Sequence, residues 1–209
     1  MRTAQVDRAR RRYRWLAPIF DRLGPAWLDR ARTRAVELLA LQPGETVLDL
    51  GCGTGRSLPV IEAAIGRGGR LVGVDASPDM LARARQRVDD HGWRNVTLIQ
   101  ADAEELTLEA RVDAVLCFCT HDILTSPAAV ARAVAQLAPG GRIVAAGAQH
   151  PDRRAGWLPV PGLFVSGLVF SVRRTQRDRP WRELERLLPG THLVETRRAG
   201  AFYLVRGMR

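Results

Sequence analysis

Residues 47–55 read Val-Leu-Asp-Leu-Gly-Cys-Gly-Thr-Gly, an apolar strand that runs directly into a loop with glycine at every second position. In open α/β sheets, ligands bind at the carboxyl end of such a strand, and the missing β-carbons let the backbone lie against them. A dinucleotide site usually has a further glycine one position later, where this chain has Arg56. The loop therefore favours a nucleoside that carries an amino-acid tail over a pyrophosphate.

Apolar runs alternate with helical patterns on both sides of this loop, which indicates a parallel sheet covered by helices. Two closely joined strands near the end favour an antiparallel closing pair. We predict an α/β protein with a Rossmann-like, seven-stranded mixed sheet, its last strand antiparallel and helices on both faces. The predicted strands are Thr46–Leu50, Leu71–Asp75, Val96–Gln100, Val112–Phe118, Arg142–Ala146, His192–Thr196 and Phe202–Arg206. The predicted helices are Arg56–Ile65, one opened by Ser77-Pro78, Pro127–Leu137 and Pro180–Leu188, with a turn at Pro139-Gly140-Gly141.

A chain of 209 residues suits one domain, residues 1–209, with short extensions. We expect a helical cap over residues 1–41, broken near Gly24-Pro25, and an apolar lid or insert over residues 149–179. The uncharged stretch Ala155–Val172 reaches the lower length limit of a membrane span, but its prolines and glycines favour an irregular lid or a surface-seeking segment.

The formal charge of +10 invites a nucleic-acid interpretation, but all 32 basic residues are Arg, which indicates a coding bias more than a selected patch. The dense run Arg8–Arg14 fits a solvated helix face, and a peripheral contact with anionic lipid stays open. Three cysteines cannot form a complete disulfide set, and no apolar run follows the first positive charges. We therefore expect a reducing, cytoplasmic location.

Two further acids follow the next strands. Asp75 ends the second strand about 20 residues beyond the loop, the usual place for a carboxylate that accepts hydrogen bonds from ribose hydroxyls. Asp102 follows the third strand, where it could accept a hydrogen bond from an adenine amino group. A single strand-end Asp is more often a helix cap or turn residue. The order and spacing of the three acids together indicate a nucleoside site.

The chain resembles a class I S-adenosylmethionine-dependent methyltransferase over about residues 10–206. The matching pieces are VLDLGCGTG, VGVDASPDML, ADAEEL, VDAVLCF and LAPGGRIV. The stretch Tyr13–Asp21 is similar to the opening helix of the ubiquinone/menaquinone-biosynthesis and phospholipid-methylating group. The resemblance implies S-adenosylmethionine as cofactor, S-adenosylhomocysteine as product, and a small, largely apolar acceptor.

The resemblance also assigns roles to residues of the cofactor site. Gly51, Gly53 and Gly55 would line the methionine part, with Asp49 near its amino group and Tyr13 near its carboxylate. Asp75 would hold the ribose, Met80 would pack on the adenine, and Asp102 with the Ala103 amide would contact the adenine edge. Cys52, Ala76 and Cys117 would complete the wall. For Met80 and Tyr13, plain core packing is an equal alternative.

Methyl transfer needs a base only when the acceptor keeps a proton. His121, just beyond the fourth strand, is the candidate, with a structural hydrogen-bonding role as its alternative and His150 as a second candidate. Cys117 and Cys119 are expected on one strand face, and no metal-ligand spacing surrounds them.

The identity of the acceptor is expected to depend on the opening helix and on the apolar segment. That segment would cover a quinone precursor, a polyketide or a lipid, or else form a dimer interface or a membrane-surface contact. Loops typical of nucleobase methylation are absent after the fourth strand, which argues against nucleic acid. Two other classes stay open: a nicotinamide-dependent oxidoreductase, and a methyltransferase-fold protein that binds the cofactor without methylating.

Overall fold

The computed structural model describes residues 25–149, 179–197 and 200–209. In chain order its elements are α1 (Ala26–Leu39), β1 (Thr46–Leu50), α2 (Leu58–Ile65), β2 (Arg70–Asp75), α3 (Pro78–His91), β3 (Val96–Gln100), β4 (Val112–Phe118), α4 (His121–Leu124), α5 (Pro127–Gln136), β5 (Leu137–Ala148), α6 (Arg182–Leu187), β6 (His192–Arg197) and β7 (Phe202–Met208). The bounds predicted for the first, third and fourth strands agree with β1, β3 and β4.

The strands form one seven-stranded mixed sheet in the order β3-β2-β1-β4-β5-β7-β6. Strands β1 to β5 pair in parallel, and β7 pairs antiparallel with both β5 and β6. The predicted fold class, including the antiparallel last strand, is confirmed. The chain moves outward from β1 to β2 on one side and later returns to β4 on the other side. The switch point of this topology, where open α/β sheets bind ligands, therefore lies between β1 and β4.

Helices cover both faces of the sheet because alternate strand residues point to opposite sides. One face packs against α1, α2 and α3 through Leu39, Ile61 and Val88. The other packs against α5 and α6 through Val130 and Leu184. With both faces buried, the central strands read as continuous apolar runs, which is the sequence pattern that predicted a parallel sheet.

The N-terminal cap of α3 is the one that the sequence predicted. The Ser77 side chain accepts a hydrogen bond from the Met80 N–H at 3.4 Å, and Pro78 occupies the first turn. The helix ends at Gly92, whose φ of 64° lies in the left-handed region that glycine adopts without cost. These signals place the start of α3 directly after Asp75.

Several predicted boundaries are wrong. The predicted turn Pro139-Gly140-Gly141 lies inside β5, because its backbone pairs with the end of the chain: the Gly140 N–H donates to the Arg209 carbonyl at 3.0 Å, and the Arg209 N–H donates to the Gly141 carbonyl at 2.9 Å. The helix predicted from Arg56 begins at Leu58, and the short helix α4 was not predicted. Strand β7 continues to Met208 for the same reason that β5 begins early, since the two pair along their length.

The first part of the expected cap, with Tyr13, and the apolar segment Ala155–Val172, with His150 before it, lie outside the described residues. In the ranges that the structure describes, no helix combines the length and the apolar character needed to cross a membrane.

Candidate active site

The predicted site residues that fall within the described ranges come together at the carboxyl edge of the parallel strands. The glycine loop follows β1, Ala76 follows β2, Asp102 and Ala103 follow β3, and His121 follows β4. Strands β1 and β4 are neighbours in the sheet, so the glycine loop and the residues after β4 face each other across the switch point. The structure thus joins residues that are up to about seventy positions apart in the chain.

The glycines of the loop serve two different purposes. Gly51, Gly53 and Gly55 all have positive φ, at 76°, 56° and 78°. A β-carbon on Gly51 would lie 2.3 Å from Thr120 Cγ2, and one on Gly55 would lie 2.8 Å from Leu58 Cδ1. A β-carbon on Gly53 would meet no atom within 4 Å. Gly51 and Gly55 are therefore required by packing, whereas Gly53 borders open space in which a ligand could lie against the backbone.

Asp75 fixes the shape of the loop. Its Oδ2 accepts a hydrogen bond from the Gly53 N–H at 2.9 Å, and its Oδ1 accepts one from the Ser77 N–H at 2.8 Å. Burial raises the pKa of Asp75, and these two backbone donors oppose the rise. Because each carboxylate oxygen can accept two hydrogen bonds, the group can hold the loop and still accept hydroxyl donors from a sugar.

Asp49 is a buried carboxylate with unused hydrogen-bonding capacity. Its side chain is 1% exposed, and its Oδ2 finds no hydrogen-bond partner among the residues that the structure describes. Burial raises the pKa of Asp49 to about 7, Arg32 lowers it, and Asp75 raises it. A buried acceptor without a donor is costly, and a ligand ammonium would supply that donor. The site therefore fits a ligand whose amino-acid end carries a positive charge.

Arg32, which the sequence analysis missed, lies near Asp49. It is 8% exposed, its guanidinium lies 4.6 Å from the Phe118 ring centroid, and its Nη1 pairs with Asp29 Oδ1 at 2.5 Å. The second oxygen of Asp29 pairs with Arg56 at 2.6 Å. Burial lowers the pKa of Arg32. The sequence signal was available, since Arg32 interrupts an apolar helix face formed by Leu28, Ala31, Ala35 and Leu39.

The residues expected around the adenine differ in how deeply they are buried. Asp102 is half-buried, and its Oδ1 accepts a hydrogen bond from the Glu104 N–H at 3.0 Å, the turn geometry that an Asp at a strand end often adopts. Met80 and Ala103 are buried, and Ala76 is half-buried. Asp102 still has acceptor capacity left, so its turn role and a ligand contact are compatible.

Cys52 and Cys117 are buried, neutral thiols. Burial raises the pKa of Cys117 to about 12 and raises that of Cys52 well above its usual value, so neither is a thiolate nucleophile. The expectation that Cys117 and Cys119 share a strand face is wrong. Strand β4 ends at Phe118, and Cys119 has a φ of 61°, so the two side chains pack with opposite cores.

His121 begins α4, as the first residue after the turn that follows β4, and its side chain is 5% exposed. Its ring lies 6.4 Å from the Tyr203 ring, with 24° between the two planes. Tyr203 is fully buried and also contacts Trp181, whose ring centroid lies 4.7 Å away. The sequence analysis found His121 but missed Tyr203 and Trp181, because nothing in the local pattern of β7 links it to β4.

A glycine loop at the switch point, a buried acid on β1 and a second acid at the end of β2 define a nucleoside-binding α/β protein whose ligand has an amino-acid tail. Residues 47–141 match a protein family described as methyltransferase domain. The chain is 34% identical over 143 residues to aklanonic acid methyltransferase DauC of Streptomyces sp. (strain C5), covering 67% of this chain and 63% of that protein. It is 31% identical over 150 residues to 2-phytyl-1,4-naphtoquinone methyltransferase of Thermosynechococcus vestitus, covering 67% and 64%.

Among solved structures, a SAM dependent methyltransferase from Aquifex aeolicus superposes with a TM-score of 0.64 and 19% identity, covering 91% of this chain and 96% of that one. The chain belongs to the class I S-adenosylmethionine-dependent methyltransferases. The cofactor of this family is S-adenosylmethionine, with S-adenosylhomocysteine as its demethylated product. The chain spans less than two thirds of the length of the two curated relatives.

Proposed function

We propose that the protein transfers a methyl group from S-adenosylmethionine to a small, largely apolar acceptor of the quinone-precursor, polyketide or lipid kind. The observation that carries the proposal is the combination of a buried Asp49 oxygen, Oδ2, that has no hydrogen-bond partner among the described residues and open space beside the Gly53 backbone. The acceptor class is supported by the relatives, one named for aklanonic acid and one for a phytyl naphthoquinone.

In the proposed cofactor site, different residues contact different parts of the cofactor. Asp49 accepts the ammonium hydrogen bond, Gly53 presents its backbone to the amino-acid tail, and Asp75 accepts the ribose hydroxyls. Met80 packs on the adenine, and Asp102 with the Ala103 amide contacts the adenine edge. When bound, the cofactor supplies a methyl group on an already activated sulfonium, so the chain's main task is to hold the acceptor in line and exclude water.

His121 is the proposed base for acceptors that keep a proton. It lies beyond β4 at the switch point, beside the loop that holds the methyl donor. Histidine is the side chain that most often serves as a general base in enzymes. For an acceptor that is already anionic, His121 would serve only to orient it.

Methyl transfer from isotope-labelled S-adenosylmethionine tests the proposal, with hydroquinones, polyketide phenols and phospholipids as acceptors and mass spectrometry as the readout. Labelled product with one of these classes supports it. Tight binding of S-adenosylhomocysteine without labelled product across the panel would instead favour a protein that binds the cofactor without methylating. A larger thermal shift with a nicotinamide cofactor would favour the oxidoreductase alternative.

A further inference from the structure

Tyr203 is a fully buried phenol whose hydroxyl finds no hydrogen-bond partner in the described ranges. Buried polar groups in folded proteins are almost always satisfied, so each exception calls for an explanation. The neighbouring Trp181 does not supply one, because its indole N–H donates to Glu185 Oε1 at 3.0 Å. The phenol is thus a polar group held in an apolar cluster at a cost to stability.

The position of Tyr203 in the sheet places it beside the proposed acceptor site. Strand β7 runs antiparallel to β5, so the first residues of β7 lie at the edge where β4 and β5 end. Tyr203 pairs with Gly147, and a β-carbon on Gly147 would lie 3.1 Å from the tyrosine hydroxyl oxygen. The absence of a side chain at Gly147 is what lets the phenol lie across β5 toward the face that carries Cys117.

The chemistry of the hydroxyl is that of a neutral donor. Burial raises the pKa of Tyr203 well above its ordinary value, with smaller contributions from Cys119 and Cys117. The O–H therefore stays protonated over the whole working range of pH and can donate to a carbonyl or phenolic oxygen. The ring of His121, the proposed base, lies nearly parallel to the Tyr203 ring at a distance of 6.4 Å.

We infer that Tyr203 is a specificity-determining residue, whose hydroxyl donates a hydrogen bond to an oxygen substituent of an aromatic acceptor. The inference rests on the proposed function and narrows its acceptor class from apolar molecules in general to oxygen-bearing aromatic ones. The apolar side chains that pack around Tyr203, among them Trp181 and Cys117, hold the carbon skeleton of the acceptor. The phenol distinguishes an oxygenated ring from a plain hydrocarbon of the same size.

Calorimetric binding of two probes to Tyr203→Phe tests this inference. The probes are naphthohydroquinone, kept reduced, and dimethylnaphthalene, which has a similar shape but no oxygen. Tyr203→Phe should weaken naphthohydroquinone binding about tenfold, or about 1.4 kcal/mol, and leave dimethylnaphthalene binding unchanged. Its melting temperature should equal or exceed that of the wild type, because the variant loses a hydroxyl that has no partner among the residues the structure describes.

Trp181→Phe is the matched control, since it loosens the packing around Tyr203 but keeps the Tyr203 hydroxyl, and it should affect both probes alike. Equal binding of naphthohydroquinone to wild type and Tyr203→Phe would overturn the inference, and so would a parallel loss of both probes or no binding to the wild type. Binding of S-adenosylhomocysteine is measured separately on each variant. Its absence would count against the proposed function, while the probe comparison still decides the role of Tyr203.

Discussion

Replacing Asp49 with Asn removes the charge of the buried carboxylate while keeping its shape. Burial raises the pKa of Asp49 from 3.8 to about 7. A rise of about 3 pKa units means that the folded protein disfavours the ionised form by about 4 kcal/mol, as an order of magnitude. An arriving ammonium offsets part of this cost, so the same burial that destabilises the unliganded protein makes the site selective for a cationic ligand.

The sign of the pH dependence follows from the direction of that shift. The folded protein holds the Asp49 proton more tightly than the unfolded chain does. The free energy of unfolding therefore falls between about pH 4 and pH 7 and stays reduced above that range. Measured by chemical denaturation, this fall should be smaller in Asp49→Asn than in the wild type, by up to about 4 kcal/mol. Ligand binding has the opposite trend, because the ionised carboxylate is the form that binds an ammonium.

Calorimetry with S-adenosylhomocysteine measures the second trend. Wild-type affinity should rise about tenfold from about pH 6 to about pH 8, as the carboxylate ionises. Asp49→Asn should bind about ten- to a hundredfold more weakly at the higher pH, with an affinity that no longer changes with pH. Asp90→Asn is the matched control, because Asp90 is an exposed acid on α3. If Asp49→Asn binds within about twofold of the wild type and keeps its pH profile, the assigned role of this carboxylate is refuted.

Four other substitutions give separate readouts. Gly51→Ala should lower the free energy of unfolding by about 2–3 kcal/mol, because its β-carbon would clash with Thr120. Gly53→Ala should lower the free energy of unfolding by only about 1 kcal/mol but weaken S-adenosylhomocysteine binding. Equal losses of unfolding free energy in the two variants would contradict the different roles assigned to these glycines. Ala40→Gly should raise the free energy of unfolding by about 0.5–1 kcal/mol, because Ala40 caps α1 at a φ of 49°, in the left-handed region that glycine adopts more easily. His121→Gln should lower kcat on a phenolic acceptor about a hundredfold without changing S-adenosylhomocysteine affinity, and an unchanged kcat would remove its role as base.

The sheet and the glycine loop could be predicted because their determinants are local. Apolar runs bounded by turn residues fixed β1, β3 and β4, and Ser77-Pro78 fixed the start of α3. The predicted turn at Pro139-Gly140-Gly141 failed because the pairing partner of that backbone, Arg209, lies about seventy residues away. A turn motif carries no information about a distant strand that can take up its hydrogen bonds.

The same limit separates the two halves of the candidate site. One motif and its spacing predicted Asp49, Gly53 and Asp75, so the proposed methyl-donor side of the site could be identified from the sequence. Arg32 could have been found, because a charged residue on an apolar helix face indicates a buried partner. Tyr203 could not, because its place beside His121 depends on β7 pairing with β5, a tertiary contact that no local pattern encodes.

In the proposed site, the methyl donor and the acceptor are bound from opposite faces of the sheet. Asp49 lies between Leu48 and Leu50, which point into the core under α5 and α6, so its carboxylate points toward α1 and Arg32. Tyr203 belongs to the core on the other side. The two faces meet at the carboxyl edge between β1 and β4, where the methyl group would pass. Because Asp49 and Tyr203 lie on opposite faces of the sheet, effects of Asp49→Asn on cofactor affinity and of Tyr203→Phe on probe affinity should add in the double variant. A strong departure from additivity, measured with both ligands, would mean that one face reorganises the other and that the division between donor and acceptor sides is wrong.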